Sequence, residues 1–360
     1  MCTSFANARK WRQTGTKGFY TGAVESQTQT QTQTQTQTKT KTQPMIDIRI
    51  QNAAYFLRRG ELVAFPTETV YGLGADASNA SAIAKLYAAK GRPSNHPVIV
   101  HIADVSMLDK WASSVPEKAK LLAEKFWPGP LTMILPKADH VRDDITGGQK
   151  TVGLRIPAHP LALDLLKAFG GGVIAPSANK FGRLSPTRAE DVQSEFKGEV
   201  AVVLDGGACT VGIESTIIDM SSEVPTILRP GMIDQASIEA VIGPVRTRGE
   251  QTSETAVTRV PGDLPSHYAP VTPLRLITDI ELSQLIFDDL QSVAVLSFNA
   301  PQHQKLAWIV AERDPHTYAR DLYHNLRLLD KENAREILVE HPPKDSEWNG
   351  IWDRLQRAAK

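Results

Sequence analysis

The sequence predicts an α/β fold in two parts. Three observations carry that expectation: short runs of β-forming residues alternate with stretches of helical periodicity, the composition supports a large core, and the alternation breaks once, over residues 244–272, before it resumes. Of the 360 residues, 41% are hydrophobic and 22% charged, which excludes a disordered or fibrous chain for most of its length. No stretch approaches the roughly 20 apolar residues of a membrane span. Cys2 and Cys209 are the only cysteines, so a disulfide framework and a cysteine metal site are excluded, which fits a reducing compartment.

Residues 1–44 stand apart. Gln and Thr alternate over 27–38, Lys39-Thr40-Lys41-Thr42 follows, and a tract without apolar residues has nothing to pack, so this tail is expected to be disordered. It has six bases (Arg9, Lys10, Arg12, Lys17, Lys39, Lys41) and one acid, Glu25, which leaves 34 bases and 39 acids, net −5, in the remainder. Such a body is not built to wrap nucleic acid by bulk charge, and favours a small anion held in a local positive cleft. Two origins of the tail stay open: an upstream start with Met45 as the functional one, or an organellar transit peptide that lacks a clear amphipathic helix.

In order, a helix is expected over 47–59, ended by Gly60, then a strand over 62–65 ended by Pro66. The loop Thr67-Glu68-Thr69-Val70-Tyr71-Gly72-Leu73-Gly74 follows, its glycines permitting close turns beside a ligand. Asn79 or Ser78 caps a helix with Ile83, Leu86 and Tyr87 on its apolar face, ended by Gly91 and Pro93. Strands are expected over 98–102, 131–135, 151–157, 173–176, 200–204, 215–219 and 226–228. Phe126-Trp127-Pro128-Gly129-Pro130 reads as a rigid architectural turn. Ser185-Pro186-Thr187 opens a helix over 188–196, with Thr187 and Glu190 as a capping box, and another helix spans 235–242 before Gly243. The proline-bearing linker 244–272 contains Ser266-His267-Tyr268-Ala269-Pro270, specific for a spacer. Beyond it come strands over 274–277, 293–298, 307–310 and 337–340, helices over 281–290 and 317–329, and a last helix through Trp352, which make a second, smaller α/β domain.

Candidate functional residues sit at strand and helix ends, where α/β proteins place ligands. Lys90 has an ordinary explanation at a helix C-terminus, where the dipole favours a cation, whereas Arg92, beyond the glycine and before a proline, opens toward the 98–102 strand. Arg155 among apolar neighbours needs an anion, either a protein carboxylate or a ligand's. Ser177-Ala178-Asn179 leaves a strand end with groups that hydrogen-bond phosphate oxygens, and Ser185 suits a helix cap or a phosphate. No phosphate-loop motif, no nucleophile elbow and no zincin histidine pair is present. Cations with neutral donors suit transfer by positioning and charge neutralisation, of which nucleotidyl or phosphoryl transfer is the natural class.

Phe65-Pro66-Thr67-Glu68-Thr69-Val70-Tyr71-Gly72-Leu73-Gly74, Lys90-Gly91-Arg92-Pro93, Ser177-Ala178-Asn179, Gly212-Ile213-Glu214-Ser215-Thr216 and Leu228-Arg229-Pro230-Gly231, in this order, resemble the YrdC/Sua5 family of threonylcarbamoyl-AMP synthases. The resemblance runs from about residue 50 to the C-terminus, and the linker and second domain point to the two-domain Sua5 form. It implies a YrdC-like twisted mixed open sheet with helices over 45–243, a linker or lid over 244–272, and a smaller Rossmann-like α/β Sua5 domain over 273–360. The implied activity is synthesis of L-threonylcarbamoyladenylate and pyrophosphate from L-threonine, bicarbonate or CO2, and ATP, in the cytoplasm. The product would pass to a complex that modifies tRNA, with room left for a weak tRNA contact and no membrane partner.

By the same resemblance, Lys90 and Arg92 neutralise the ATP phosphates, with Ser177 and Asn179 completing that side. Thr69, His101, Arg155, Ala175 and Ser215 or Thr216 hold threonine, Arg155 answering its carboxylate. Thr151, Ser185 and Arg229 touch the nucleotide, and Tyr268 closes the site from the linker. Mg2+ would accompany ATP, with no metal ligand assigned among the side chains. Where many relatives have Asn before the proline that follows the second motif, Pro97 here, this chain has His96, with Asn95 one place earlier: either the histidine replaces the amide as a nucleotide contact or the contact is lost. Two rivals are a non-catalytic module reading double-stranded RNA or tRNA by shape, against which the net −5 body weighs, and the carbamoyl-adenylate chemistry of hydrogenase-maturation relatives, whose accompanying segments are missing here. Removing residues 1–44 is expected to leave ATP-dependent pyrophosphate release intact; an inactive truncated protein would overturn the reading of the tail.

Overall fold

Helix α1 (Ile48–Arg58) starts where Asp47 accepts the backbone N–H of Arg49 at 2.9 Å, and buries Ile50, Ala53, Ala54 and Leu57, the one-face spacing of an amphipathic helix. Helix α2 (Ala80–Lys90) is capped by Asn79, whose Oδ1 accepts from Ser81 and Ala82, and stops at Gly91, which takes the left-handed conformation (φ 62°). That stop puts Lys90 and Arg92 on either side of a reversal in chain direction. The computed structural model of the protein describes residues 47–250, 258–263, 267–285, 292–301 and 307–359. The 1–44 tail and residues 286–290 of the helix expected over 281–290 lie outside the described residues.

The larger sheet has ten strands: β1 (Val63–Phe65), β2 (Gly72–Asp76), β3 (Ile99–His101), β4 (Leu131–Pro136), β5 (Thr151–Arg155), β6 (Val173–Ile174), β7 (Val202–Val203), β8 (Thr216–Asp219), β9 (Thr226–Arg229) and β10 (Arg246–Thr247), in the order β10-β9-β8-β4-β5-β3-β6-β2-β1-β7. Its pairing is mixed. β3 runs parallel to β5, which sets His101 beside Arg155, and antiparallel to β6, which sets Val100 opposite Ile174. Helices α3 (Glu117–Phe126) and α5 (Pro160–Phe169), separated by the short α4 (Asp143–Thr146), were not expected from sequence. The reason is local: α3 begins at Pro116 with no side-chain cap, and α5 is capped by the ring of His159 rather than by a hydroxyl, carboxylate or amide.

Helix α6 (Ala189–Phe196) corrects one expectation. The capping box of Thr187 and Glu190 does not form: the N-cap is Arg188, without a side-chain cap, and the Thr187 N–H goes to Asp191 at 3.2 Å. Ser185, freed from capping, donates its hydroxyl to Glu214 at 2.5 Å. Helix α7 (Gln235–Ile242) forms as expected, capped by Asp234.

The second sheet is wholly parallel, with β11 (Leu274–Ile277), β12 (Val293–Ser297), β13 (Trp308–Val310) and β14 (Glu336–Glu340) in the order β11-β14-β12-β13. Among the described residues its helices are α8 (Asp279–Ser283), α9 (Pro315–Asp330) and α10 (Asn349–Ala358); the last runs six residues past the expected stop at Trp352. The two sheets belong to one compact unit, and a continuous apolar seam joins them. Val70, Leu184 and Ile213 from the first part share a buried cluster with Leu322, Leu326, Ile351 and Leu355 from the second. Each leucine so buried contributes roughly 1.5–3 kcal/mol, which is enough for a few of them to hold the parts together.

Close backbone contact completes the seam. Gly212 (φ 83°) lies so near α9 that an added Cβ would come 2.3 Å from the Ala319 carbonyl oxygen and from the Arg320 Cα. Gly212→Ala combines that clash with a left-handed backbone that alone disfavours L-residues by about 1–2 kcal/mol, so a loss of about 2 kcal/mol or more is expected. Thermal unfolding followed by circular dichroism should show the midpoint fall by about 4–8 °C; an unchanged midpoint would mean that the helix and the glycine turn do not bear on each other.

Candidate active site

The site lies on one face of the larger sheet. Ile99 and His101 share that face because they are two residues apart on β3, and their strand neighbours Ala175 and Arg155 join them. The floor is low because Gly72 and Ala175 carry little or no side chain, and a Cβ on Gly72 would sit 3.1 Å from that of Ala175. Over the floor is a narrow cavity of about 50 Å³, walled by Thr67, Thr69, Arg92, Ser177, Glu214, Ser215 and Arg229 and closed by Pro261, Gly262, His267 and Tyr268 of the linker.

Positive charge dominates the walls. Lys90, Arg92, Arg155 and Arg229 are all buried. Lys90 gives its ammonium to the carbonyls of Ser177 and Asn179, both at 2.5 Å, and Arg92 reaches the Pro97 carbonyl at 2.8 Å while its Nε has no partner. Arg229 holds the Ser215 carbonyl through Nε and Nη2 (3.2 and 2.9 Å) and the Pro261 carbonyl through Nη1 (2.9 Å). None of these three has a carboxylate within ion-pairing distance among the described residues. Burial pushes all three below their ordinary pKa values, Lys90 well below, with Arg92 adding to it. Buried cationic side chains answered by neutral oxygens, backbone carbonyls and the Ser215 hydroxyl, leave a surplus of charge that an anionic ligand would satisfy.

Arg155 is different. Its Nη2 lies 2.7 Å from Glu68 Oε1 and donates to the Thr69 hydroxyl at 2.9 Å, while Nε reaches the Gly129 carbonyl at 3.3 Å. Between the two anions left open for it, a protein carboxylate is present, and the turn read as architecture supplies a further acceptor. Thr67 locks this corner: its hydroxyl donates to the Val70 carbonyl at 2.6 Å and lies 2.8 Å from that of Thr69.

Both buried histidines are neutral near pH 7. His101 is pushed down to about 3 by burial and then by Arg155, and His267 to about 3 by burial, with nearby cations adding to it. Each has an Nδ1 with no hydrogen-bond partner. Tyr268 sits in the left-handed region (φ 60°), a conformation an L-residue keeps only when its surroundings impose it. Those surroundings are the Tyr323 ring at 6.0 Å, the Arg354 guanidinium 5.3 Å from the tyrosine ring centre, and the Gly262 turn, where an added Cβ would strike the tyrosine hydroxyl.

Of the residues singled out from sequence, Thr69, Arg92, His101, Arg155, Ala175, Ser177, Ser215, Arg229 and Tyr268 line the cavity. Lys90 and Asn179 stand behind it, Lys90 tying the 177–179 turn and the Asn179 amide donating to the Lys180 and Arg183 carbonyls. Ser185 points to Glu214, and the Thr216 hydroxyl bonds Ile233. Thr151 opens β5 opposite Pro136 and does not line the cavity. His96 is also outside it, edge-on to Phe181 at 5.6 Å, and Phe181 in turn packs against His267 at 5.7 Å.

Glu214 and His267 lie inside motifs quoted from sequence but were given no role there. Both line the cavity. Burial would raise the Glu214 carboxyl, yet Arg354, Arg229 and the Ser185 hydroxyl hold it down to about 2. It is the one carboxylate on the cavity wall among the described residues, and its oxygens are taken by Ser185, Tyr323 and Arg354 at 2.5, 3.0 and 2.7 Å. These donors do not fit a Mg2+ ion held by the protein.

Comparison with known proteins places this geometry in context. Residues 55–231 match the Sua5–YciO–YrdC family, described as telomere recombination, and residues 233–360 match the C-terminal domain of threonylcarbamoyl-AMP synthase. The chain is 42% identical to threonylcarbamoyl-AMP synthase of Bacillus subtilis, over 87% of this chain and 93% of that protein, and 38% identical to that of Pyrococcus abyssi, over 86% and 94%. It is also similar to the crystal structure of P. abyssi Sua5 complexed with L-threonine, with a TM-score of 0.77 and 36% identity over 86% of this chain and 94% of that one. The chain therefore belongs to the threonylcarbamoyl-AMP synthase family, in its two-domain Sua5 form.

Proposed function

We propose that this chain forms L-threonylcarbamoyl-AMP and pyrophosphate from L-threonine, bicarbonate or CO2, and ATP. One observation carries the reading for the nucleotide: the side chains of Lys90, Arg92 and Arg229 are buried and met by neutral oxygens rather than by a carboxylate, next to a second pocket corner built on Arg155, Thr69 and neutral His101. The triphosphate would take the first group and threonine the second, its carboxylate sharing Arg155 with Glu68. Homology to enzymes named for this reaction supports the assignment.

Two bond changes make up the chemistry. The threonine nitrogen adds to the carbon of CO2 and loses a proton, giving a carbamate. A carbamate oxygen then bonds to the α-phosphorus as the bond to the β-phosphate bridge breaks, and pyrophosphate leaves. Arg92 and Arg229 would stabilise charge spreading over the phosphates, while Lys90 keeps the Ser177–Asn179 turn in place to receive them. His101, neutral throughout the working range, serves as a hydrogen-bond partner for threonine rather than as a base. Mg2+ would arrive on the triphosphate oxygens and supply charge neutralisation there. Product transfer toward tRNA modification and a cytoplasmic location belong to the same proposal; no helix among the described residues is long and apolar enough to cross a membrane.

Arg92→Ala should lower pyrophosphate release by roughly 100-fold, the scale of losing a preorganised donor to developing charge, and Lys90→Ala should lower it to a similar extent by releasing the Ser177–Asn179 turn; wild-type rates in both would sink the assignment. A second expectation concerns protons. The pKa of Lys90 is depressed in the free protein, by burial first and then by Arg92, and an arriving triphosphate raises it, so at pH values between the free and the bound pKa ATP binding takes up protons and its affinity falls as pH rises. Calorimetry in buffers of different ionisation enthalpy should detect that uptake in the native protein and a smaller one in Lys90→Met; equal uptake in both would remove Lys90 from the phosphate side.

A further inference from the structure

Arg354 belongs to α10 of the second sheet's layer, 140 residues from its principal partner, and its side chain is wholly buried. It donates to Glu214 Oε2 at 2.7 Å, to the Glu214 carbonyl at 3.1 Å and to the Pro230 carbonyl at 2.9 Å, and pairs with Asp353 at 2.7 Å. It thus grips both chain segments that flank the catalytic cavity, 212–216 and 229–231, and packs over Tyr268 as well. Beside these contacts, Gly350 of the same helix lies against Gly231, where an added Cβ would be 3.0 Å from the glycine backbone.

Glu214 faces the cavity together with Arg229, yet Arg229 spends its donors on the Ser215 and Pro261 carbonyls. What keeps the carboxylate from taking Arg229 is that Arg354, Ser185 and Tyr323 already occupy it. A buried carboxylate deprived of its cation would recruit the next one available. We propose that Arg354 is a positioning residue of the active site: by neutralising Glu214 from the second domain it keeps Arg229 on the Ser215 and Pro261 carbonyls and off that carboxylate, so that the charge of Arg229 stays uncancelled beside the cavity for the anionic nucleotide. The inference rests on the proposed use of ATP, and makes the second domain part of the nucleotide site without touching substrate.

The test compares full-length Arg354→Met, Arg354→Lys and the double variant Glu214→Gln with Arg354→Met. Met and Lys have nearly the same bulk, so packing treats them alike and charge separates them. Loss of one partner of a buried pair should raise the ATP Kd and the KM for ATP about tenfold or more in Arg354→Met, with a smaller change in kcat. Arg354→Lys should stay within about threefold, and the double variant, which buries no unpaired carboxylate, should regain most of the lost affinity. Equal behaviour of the Met and Lys variants, or a double variant as weak as Arg354→Met, would overturn the proposal. If Arg354→Met does not fold, as read by its melting midpoint, the double variant decides: an ATP Kd raised tenfold or more refutes the role. Because ATP Kd is read directly by calorimetry, absence of threonine-dependent pyrophosphate release from the native protein would defeat the functional reading without deciding this one.

Discussion

Positive charge buried without carboxylates is the constraint around which the site is organised. A lysine and two arginines inside a protein must be met by oxygen, and here the oxygen comes from the backbone: Ser177 and Asn179 for Lys90, Pro97 for Arg92, Ser215 and Pro261 for Arg229. These five carbonyls all lie outside the named helices and strands. Gly91 ends α2 in a left-handed conformation so that Lys90 and Arg92 approach the site from opposite sides of one turn. The result is a preorganised field that partial charges satisfy but do not cancel.

The linker completes the enclosure. Pro261, Gly262, His267 and Tyr268 line the same narrow cavity of about 50 Å³ as Arg92, Arg155 and Arg229. Tyr268 records the balance: its backbone is in a disfavoured region, held by Arg354, Tyr323 and the bare Gly262 turn. Ala269 is tied to the Gly182 carbonyl at 3.0 Å and His267 to that of Arg357 at 3.3 Å, which anchors the segment to both parts of the molecule.

The second domain is joined to the first through the same residues that wall the cavity. Val70 and Ile213, next in the chain to Thr69 and to Glu214, lie in the apolar cluster of α9 and α10. Domain docking and the cavity wall therefore share segments 212–216 and 229–231, and a change in one is felt in the other through packed atoms.

Capped, periodic elements such as α1, α2 and α7 were legible because Asp47, Asn79 and Asp234 mark their starts and glycines follow two of them closely. Helices α3 and α5 were not, since Pro116 and His159 carry no such mark. The family, its motifs and the charged candidates Arg92, Arg155 and Arg229 were all readable in one dimension, because residue type and local order determine which segments turn and which carry charge. Which cations face the cavity was not: Lys90 and Asn179 stand behind it, Ser185 and Thr216 serve the scaffold, and His96 lies outside. Nor could any local pattern pair Glu214 with Arg354 or Tyr323 across more than a hundred residues. Sequence by itself determined the chemistry on offer, whereas only the packing of α10 against the 212–216 segment decided which charges are already neutralised and which remain for a ligand, because that depends on distances set after the two domains close on each other.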